Sequence, residues 1–155
     1  MLKYYLLTLL ISMVPLVELR GALPFALGFG VPTLQAYILC IIGNMIPIPF
    51  IYLFARRFLE WAKDFPIIGS FCRFCLTKGE KAGEKLKEGG NGVYIALMLF
   101  VGIPLPGTGA WTGMLAASFL DMGFKKSTIA VLSGVLLAGV IVGAVAAGAF
   151  KVIGL

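Results

Sequence analysis

The sequence predicts an all-α integral membrane protein built as an inverted repeat, each half a re-entrant hairpin followed by a transmembrane helix, with a cytoplasmic helical hairpin between them. Three observations predict it. The 155-residue chain is 60% hydrophobic and 13% charged, where a soluble domain carries about 25% charged residues, and its mean hydropathy is +1.01. No Lys, Arg, Asp or Glu occurs across 21–55, 89–120 or 127–150, and uncharged apolar stretches beyond about 18 residues are membrane-span candidates. Two apolar regions are interrupted by charge, Gly or Pro before they reach spanning length. A single membrane domain over 1–155 is expected, with a first repeat at 1–55, a polar segment at 56–91 and a second repeat at 92–155.

The first apolar run, Tyr4 to Val17, has 14 residues, about 21 Å as a helix, and "ELRGALP" follows at 18–24. No small-residue cleavage site stands there, so a retained membrane segment is expected rather than a removed signal. Gly21 and Pro24 are expected to shape a non-helical turn, and "GFG" at 28–30 with Pro32 the return arm.

A full crossing is expected from about Thr33 to Ala55, 23 positions, kinked near mid-membrane where Asn44, Pro47 and Pro49 interrupt it. The polar segment from Arg56 to Asn91 follows. Arg56 and Glu60 pair at i, i+4, Trp61 suits an interfacial anchor, and "TKGE" at 77–80 reads as a capping box opening a short helix to about Glu88, ended by Gly89 and Gly90.

Val93 to Leu120 is split by "PLPGTGAWTG" at 104–113. Its prolines and glycines, Pro104, Pro106, Gly107, Gly109 and Gly113, predict a turn, with an 11-residue arm on either side. Neither arm reaches the roughly 20 residues a crossing needs. Ser127 to Phe150 is the cleanest span, and Gly139 and Gly143 stand in GxxxG spacing. Membrane lipids are the expected surroundings and a homodimer through that small-residue face the expected assembly.

Non-helical backbone at membrane depth is tolerated only where protein or a water-filled cavity satisfies it, so both hairpin tips should face an internal chamber. One span separates the hairpins, so they enter from opposite sides. Eight of the thirteen basic residues lie between Arg56 and Lys87. With Lys125 and Lys126 on the same side, that face is cytoplasmic, against Lys3 and Lys151 opposite. Four complete crossings are the rival topology; they put Lys125 and Lys126 outside and both termini inside.

Intramembrane ionisable residues are costly and therefore candidate functional groups. Arg20, with a planar fork of donors, suits an anionic headgroup, and Glu18 a proton or a cation. The alternative is that the two pair with each other or mark the interface. In the glycine-rich turn, backbone amides can converge on an anion as in a nest, with Thr108 and Thr112 adding hydroxyls and Trp111 an amphipathic surface; the alternative is a purely structural turn. Asn44 either lines the same chamber or glues helices together.

The absences narrow the class. There is no histidine, and outside the polar segment only Glu18 and Asp121 are acidic, which argues against an enzyme. No basic stripe with interleaved aromatics suggests nucleic acid, and no GxxxxGK[ST] loop suggests nucleotide. "CRFC" at 72–75 lacks two further ligands for zinc, and Cys40 is out of its reach, so no metal and no cofactor are expected.

"ELRGALP", "GNMIPIPF" at 43–50 and "PLPGTGAWTG" together resemble the signatures of the small multidrug export protein family, distantly related to the DedA family and the lipid scramblases sharing its membrane domain. The resemblance spans about 10–150 and implies an inner-membrane protein with two opposed re-entrant hairpins. It places Glu18, Arg20, Gly21 and Pro24 in the first hairpin and Pro106, Gly107, Thr108, Gly109 and Gly113 in the second. The arginines that follow the glycine-rich stretch in DedA relatives have no counterpart in 110–120, so their lipid-carrier mechanism is not implied.

Overall fold

The computed structural model describes residues 2–15, 17–70, 73–74, 77, 90–105 and 107–153, without the side chains of 150–153. The capping box expected at 77–80, the helix to Glu88, Cys72, Cys75 and the turn residue Pro106 lie outside the described residues, Thr77 excepted.

Regular structure among the described residues is helical throughout: α1 Leu2–Met13, α2 Glu18–Gly28, α3 Thr33–Met45, α4 Ile48–Ala62, α5 Gly92–Gly102, α6 Ala110–Phe119 and α7 Phe124–Ile153. Two stretches are long and apolar enough to cross a bilayer, Thr33–Ala62 (α3 with α4) and Phe124–Ala149 within α7. The others, 12, 11, 11 and 10 residues long, reach roughly 15–18 Å at the α-helical rise and cannot cross the ~30 Å core alone. They come as two pairs, α1 with α2 and α5 with α6.

The helices pack α1 against α2 and α3, α4 against α6, α5 against α7, and α2 against α7. Leu19, Leu23, Ile48, Val101, Met114 and Val131 are fully buried in one shared core. Leu34, Ile38 and Ile42 of α3, and Phe50, Leu53 and Phe54 of α4, are exposed instead. Apolar rows of this extent face lipid rather than water.

Three expected turn residues fall inside helices. Gly21 and Pro24 lie within α2 and Gly113 within α6, so the second break is narrower than the composition suggested and the first lies upstream of the 18–24 stretch expected to turn. The first break comes after Met13, at Pro15, which ends α1 because proline brings no backbone donor and restrains the residue before it. Pro24 costs α2 the bond to the Arg20 carbonyl, a loss that packed membrane helices tolerate. Gly113 serves close approach: a Cβ there would stand 2.5 Å from Val101 Cγ2 of α5. Pro104 and Gly107, by contrast, lie in the break between α5 and α6, and Pro47 between α3 and α4.

The GxxxG face of α7 is occupied within the chain. A Cβ on Gly139 would lie 3.0 Å from Tyr37 Cδ2 of α3, and one on Gly143 would meet Leu23 of α2. The Tyr37 hydroxyl donates to the Leu136 carbonyl at 2.6 Å. Small residues here let α3 and α2 pack against α7, so this face supplies no argument for a homodimer.

Candidate functional site

The breaks in the two short-helix pairs meet. Glu18 opens α2 with a left-handed φ of 49°, a conformation costing a non-glycine residue roughly 1–3 kcal/mol. It is 6% exposed. Its Oε2 accepts from the Ala110 amide and its Oε1 from the Trp111 amide, both at 3.1 Å. These amides open α6, where the first backbone donors have no intrahelical partner and the helix dipole is positive. Glu18 therefore caps α6 from 92 residues away.

Arg20 answers the other half of the broken pair. Its Nη1 donates to the Leu105 carbonyl at 2.6 Å and its Nη2 to the carbonyls of Val101 at 3.1 Å and Ile103 at 3.2 Å. Val101 is in the last turn of α5, where orphaned carbonyls carry the negative end of the dipole. Nη2 also donates to Thr108 Oγ1 at 3.1 Å. Two side chains at i and i+2 diverge, and that divergence lets one reach the start of α6 while the other reaches the end of α5.

The loop between those ends is held from within as well. Gly107 takes φ 81°, in the region open to glycine, and the Thr108 amide donates to the Leu105 carbonyl at 3.2 Å. The Thr108 hydroxyl has the Ile103 carbonyl at 2.8 Å. Thr112 Oγ1 accepts from the Gly109 amide at 2.8 Å. A Cβ on Gly109 would fall 2.6 Å from the Glu18 carboxyl carbon, so position 109 has no room for a side chain beside the carboxylate.

The nest expected to hold an external anion is thus filled by the chain's own Glu18. Trp111 ties the first break to the second, its indole Nε1 donating to the Met13 carbonyl at 3.2 Å. Asn44 is 1% exposed. With its amide turned to suit both neighbours, it donates to the Ser12 carbonyl at 2.7 Å and accepts from the Leu19 amide at 3.0 Å. It satisfies backbone groups freed where α1 gives way to α2.

A cavity of about 100 Å³ lies between the breaks, lined by Pro15, Glu18, Arg20, Thr108, Trp111 and Thr112 among others. Asn44 is not on its wall. The space matches roughly three waters at ~30 Å³ each, well below the ~300 Å³ of a drug-sized site. Trp111 and Leu115 also line a second, apolar space of about 370 Å³ between α4 and α6, with Ile51, Phe54, Phe58 and Phe119. The sequence reading missed that apolar space; only the exposed aromatics at Phe54 and Phe58 hinted at it.

It missed a second cross-chain tie too. Arg56 of α4 pairs with Asp121 as well as with Glu60 at 3.4 Å. Asp121, at φ 50°, is the sole acidic residue between Gly89 and Phe150, the signal that was available. Nearby, the Ser118 hydroxyl donates to the Tyr52 carbonyl at 2.8 Å. Among the described residues no group of three His, Cys, Asp or Glu side chains could hold a metal ion.

A family model described as "Putative small multi-drug export protein" matches residues 18–141, a span that includes Glu18, Arg20 and the helix ends and loop they bind. No curated protein and no solved structure matches the chain.

Proposed function

We propose, from the premise that the chain belongs to the small multi-drug export protein family, that it moves small amphipathic molecules, or an anionic lipid, by opening and closing the clasp between its two helix breaks. Membership supports a transport-like export function rather than an enzyme's. The two long apolar helices support a multi-pass membrane protein. Beyond that, in our reading the short pairs are re-entrant hairpins from opposite faces, the halves form an inverted repeat, and 56–91 is cytoplasmic. Cysteine labelling at residues 1–3 tests this: label reaching them only from the cytoplasmic side refutes the hairpin topology.

The single observation behind the mechanism is the double clasp, Glu18 on the start of α6 and Arg20 on the end of α5. A proton on Glu18 removes the charge that the α6 amides hold, and the clasp weakens. The small polar cavity then joins the apolar space beyond Trp111 and Leu115, giving a polar head and an apolar body separate seats. Arg20, once released from the loop carbonyls, is the anion contact, and Thr108, Trp111 and Thr112 complete the polar seat.

Reconstitution into liposomes with a cationic dye and with a fluorescent anionic lipid, with and without a pH gradient, is the test. Arg20→Ala is expected to abolish flux of the transported probe. Glu18→Gln is expected to keep downhill flux and lose its response to the gradient. Unchanged flux in Arg20→Ala, or an unchanged response to the gradient in Glu18→Gln, refutes the assigned role. A second reading, a partner-binding or assembly subunit, is favoured by one feature: the side chains of Glu18, Arg20, Thr108, Trp111 and Thr112 each have a partner inside the chain. It predicts no flux of either probe from the wild-type chain.

A further inference from the structure

Away from the clasp, α5 and α7 run side by side in the same direction and diverge at their N-terminal ends. The groove between them has a volume of about 290 Å³ and is lined by Asn91, Tyr94 and Met98 from one side and Lys126, Ile129 and Ser133 from the other. The spacing is the same on both sides, three residues and then four, so each helix turns one continuous stripe to the groove. Asn91 and Lys126 stand at its mouth. Met98 and Ser133 stand one and a half to two turns deeper, about 10 Å along the helices.

The depth has a floor. A Cβ on Gly134 would lie 2.7 Å from both the Met98 carbonyl and Val101 Cβ, so below this level the two helices touch and the groove ends. Lys126 is the last charged residue before the uncharged run of α7, which sets the mouth at one edge of the hydrocarbon region, whichever face of the bilayer that is. The groove therefore spans the outer part of one leaflet.

Its chemistry is graded in the same sense. Lys126 Nζ lies 5.6 Å from the centre of the Tyr94 ring, close enough for a cation–π contact. Among the described residues Lys126 has no carboxylate partner; the ion pairs are Arg56 with Glu60 and with Asp121. The Tyr94 hydroxyl, 3.7 Å from where a Gly123 Cβ would stand, has no hydrogen-bond partner among the described residues. Both helices begin here, so the positive ends of two dipoles face the mouth together. Below it the walls are apolar, since Ser133 spends its hydroxyl on the Ile129 carbonyl at 2.9 Å.

We propose that this groove holds one resident anionic phospholipid, its phosphate at Lys126, Tyr94 and Asn91 and the upper part of one acyl chain over Met98 and Ile129. Positive charge and free donors at the interface, above an apolar slot that closes within one leaflet, fit a phospholipid and not a water-borne phosphate, which has no use for the slot. The site shares no residue with the clasp cavity and does not depend on transport.

The test is lipid retained by the purified full chain after transfer from bilayers of equal phosphatidylglycerol and phosphatidylcholine into detergent, counted by native mass spectrometry. Wild type is expected to retain one phosphatidylglycerol in preference to phosphatidylcholine. Lys126→Gln is expected to lower that preference about fivefold, as for one basic residue acting near a membrane surface. Lys125→Gln, whose side chain is next in sequence but outside the groove, should change it by less than about twofold on the same scale. Ile129→Trp, which fills the slot, should lower retention of both lipids. Equal effects of the two lysine variants indicate diffuse attraction and overturn the proposal, as does retention unchanged by Ile129→Trp.

Discussion

Gly109→Ala isolates the contact on which the clasp turns. Gly109 is fully extended, with φ −166° and ψ −174°, a conformation any residue adopts, so the substitution brings no backbone penalty. Its effect is steric and local: the new Cβ would sit 2.6 Å from the Glu18 carboxyl carbon. Glu18 is buried and held by two amides, and must swing away. Hydrogen bonds to charged groups contribute roughly 1.5–3 kcal/mol each, so losing two, with partial replacement by water in the cavity, should cost about 3 kcal/mol. Glu18→Ala removes the same bonds and should cost a similar amount. The double variant should then cost little more than either single one, a coupling of about 2–3 kcal/mol, in the range seen for residues in contact. Loss of ellipticity during titration with sodium dodecyl sulfate, from mild detergent, measures all three. A Gly109→Ala change under about 0.5 kcal/mol, the usual size for substitutions away from special features, or full additivity with Glu18→Ala, refutes the idea that position 109 is kept bare for the carboxylate.

Glu18→Gly should be less damaging than Glu18→Ala by about 1 kcal/mol, because glycine takes the 49° φ without strain; equal losses in the same titration argue against a strained Glu18. Arg20→Lys should cost about 2 kcal/mol despite keeping the charge, since an ammonium cannot span the Leu105 carbonyl on one side and the Val101 and Ile103 carbonyls on the other; a neutral result shows that charge alone is needed. Asn44→Leu should cost about 2–4 kcal/mol by leaving the Ser12 carbonyl and the Leu19 amide unpaired, and a smaller loss means that water reaches them. Asp121→Asn should change stability by less than about 1 kcal/mol, because its pair with Arg56 is 41% exposed on both sides and open to screening; a larger loss that persists at high salt shows that this tie is shielded.

Much of this molecule could be read without coordinates. Charge-free stretches set two long helices, because the bilayer admits only apolar segments of a minimum length. The short regions beside them were marked as broken by their own Pro, Gly and charged residues. Glu18, Arg20, Thr108, Trp111 and Thr112 could be singled out because polar groups are rare and costly in such surroundings.

Other features were set by contacts that no local pattern encodes. Gly21, Pro24 and Gly113 suggest turns by composition, yet packing keeps them helical: α2 tolerates a lost bond among its neighbours, and α6 presses on α5 at Val101. The GxxxG of α7 has the spacing of a self-association motif, and only the placement of Tyr37 shows that it is used within the chain. Asn44 could be assigned to chamber or glue only once Ser12 and Leu19 were seen beside it.

By itself the sequence determined that the chain belongs in a membrane, where its two long apolar helices run and which polar side chains it spends there, since these follow from transfer energies summed over neighbouring residues. Tertiary structure alone decided what those side chains meet. Glu18 and the α6 amides are 92 residues apart; they become partners only when two broken helix pairs are brought tip to tip, and a pairing over that separation leaves no periodic trace along the chain.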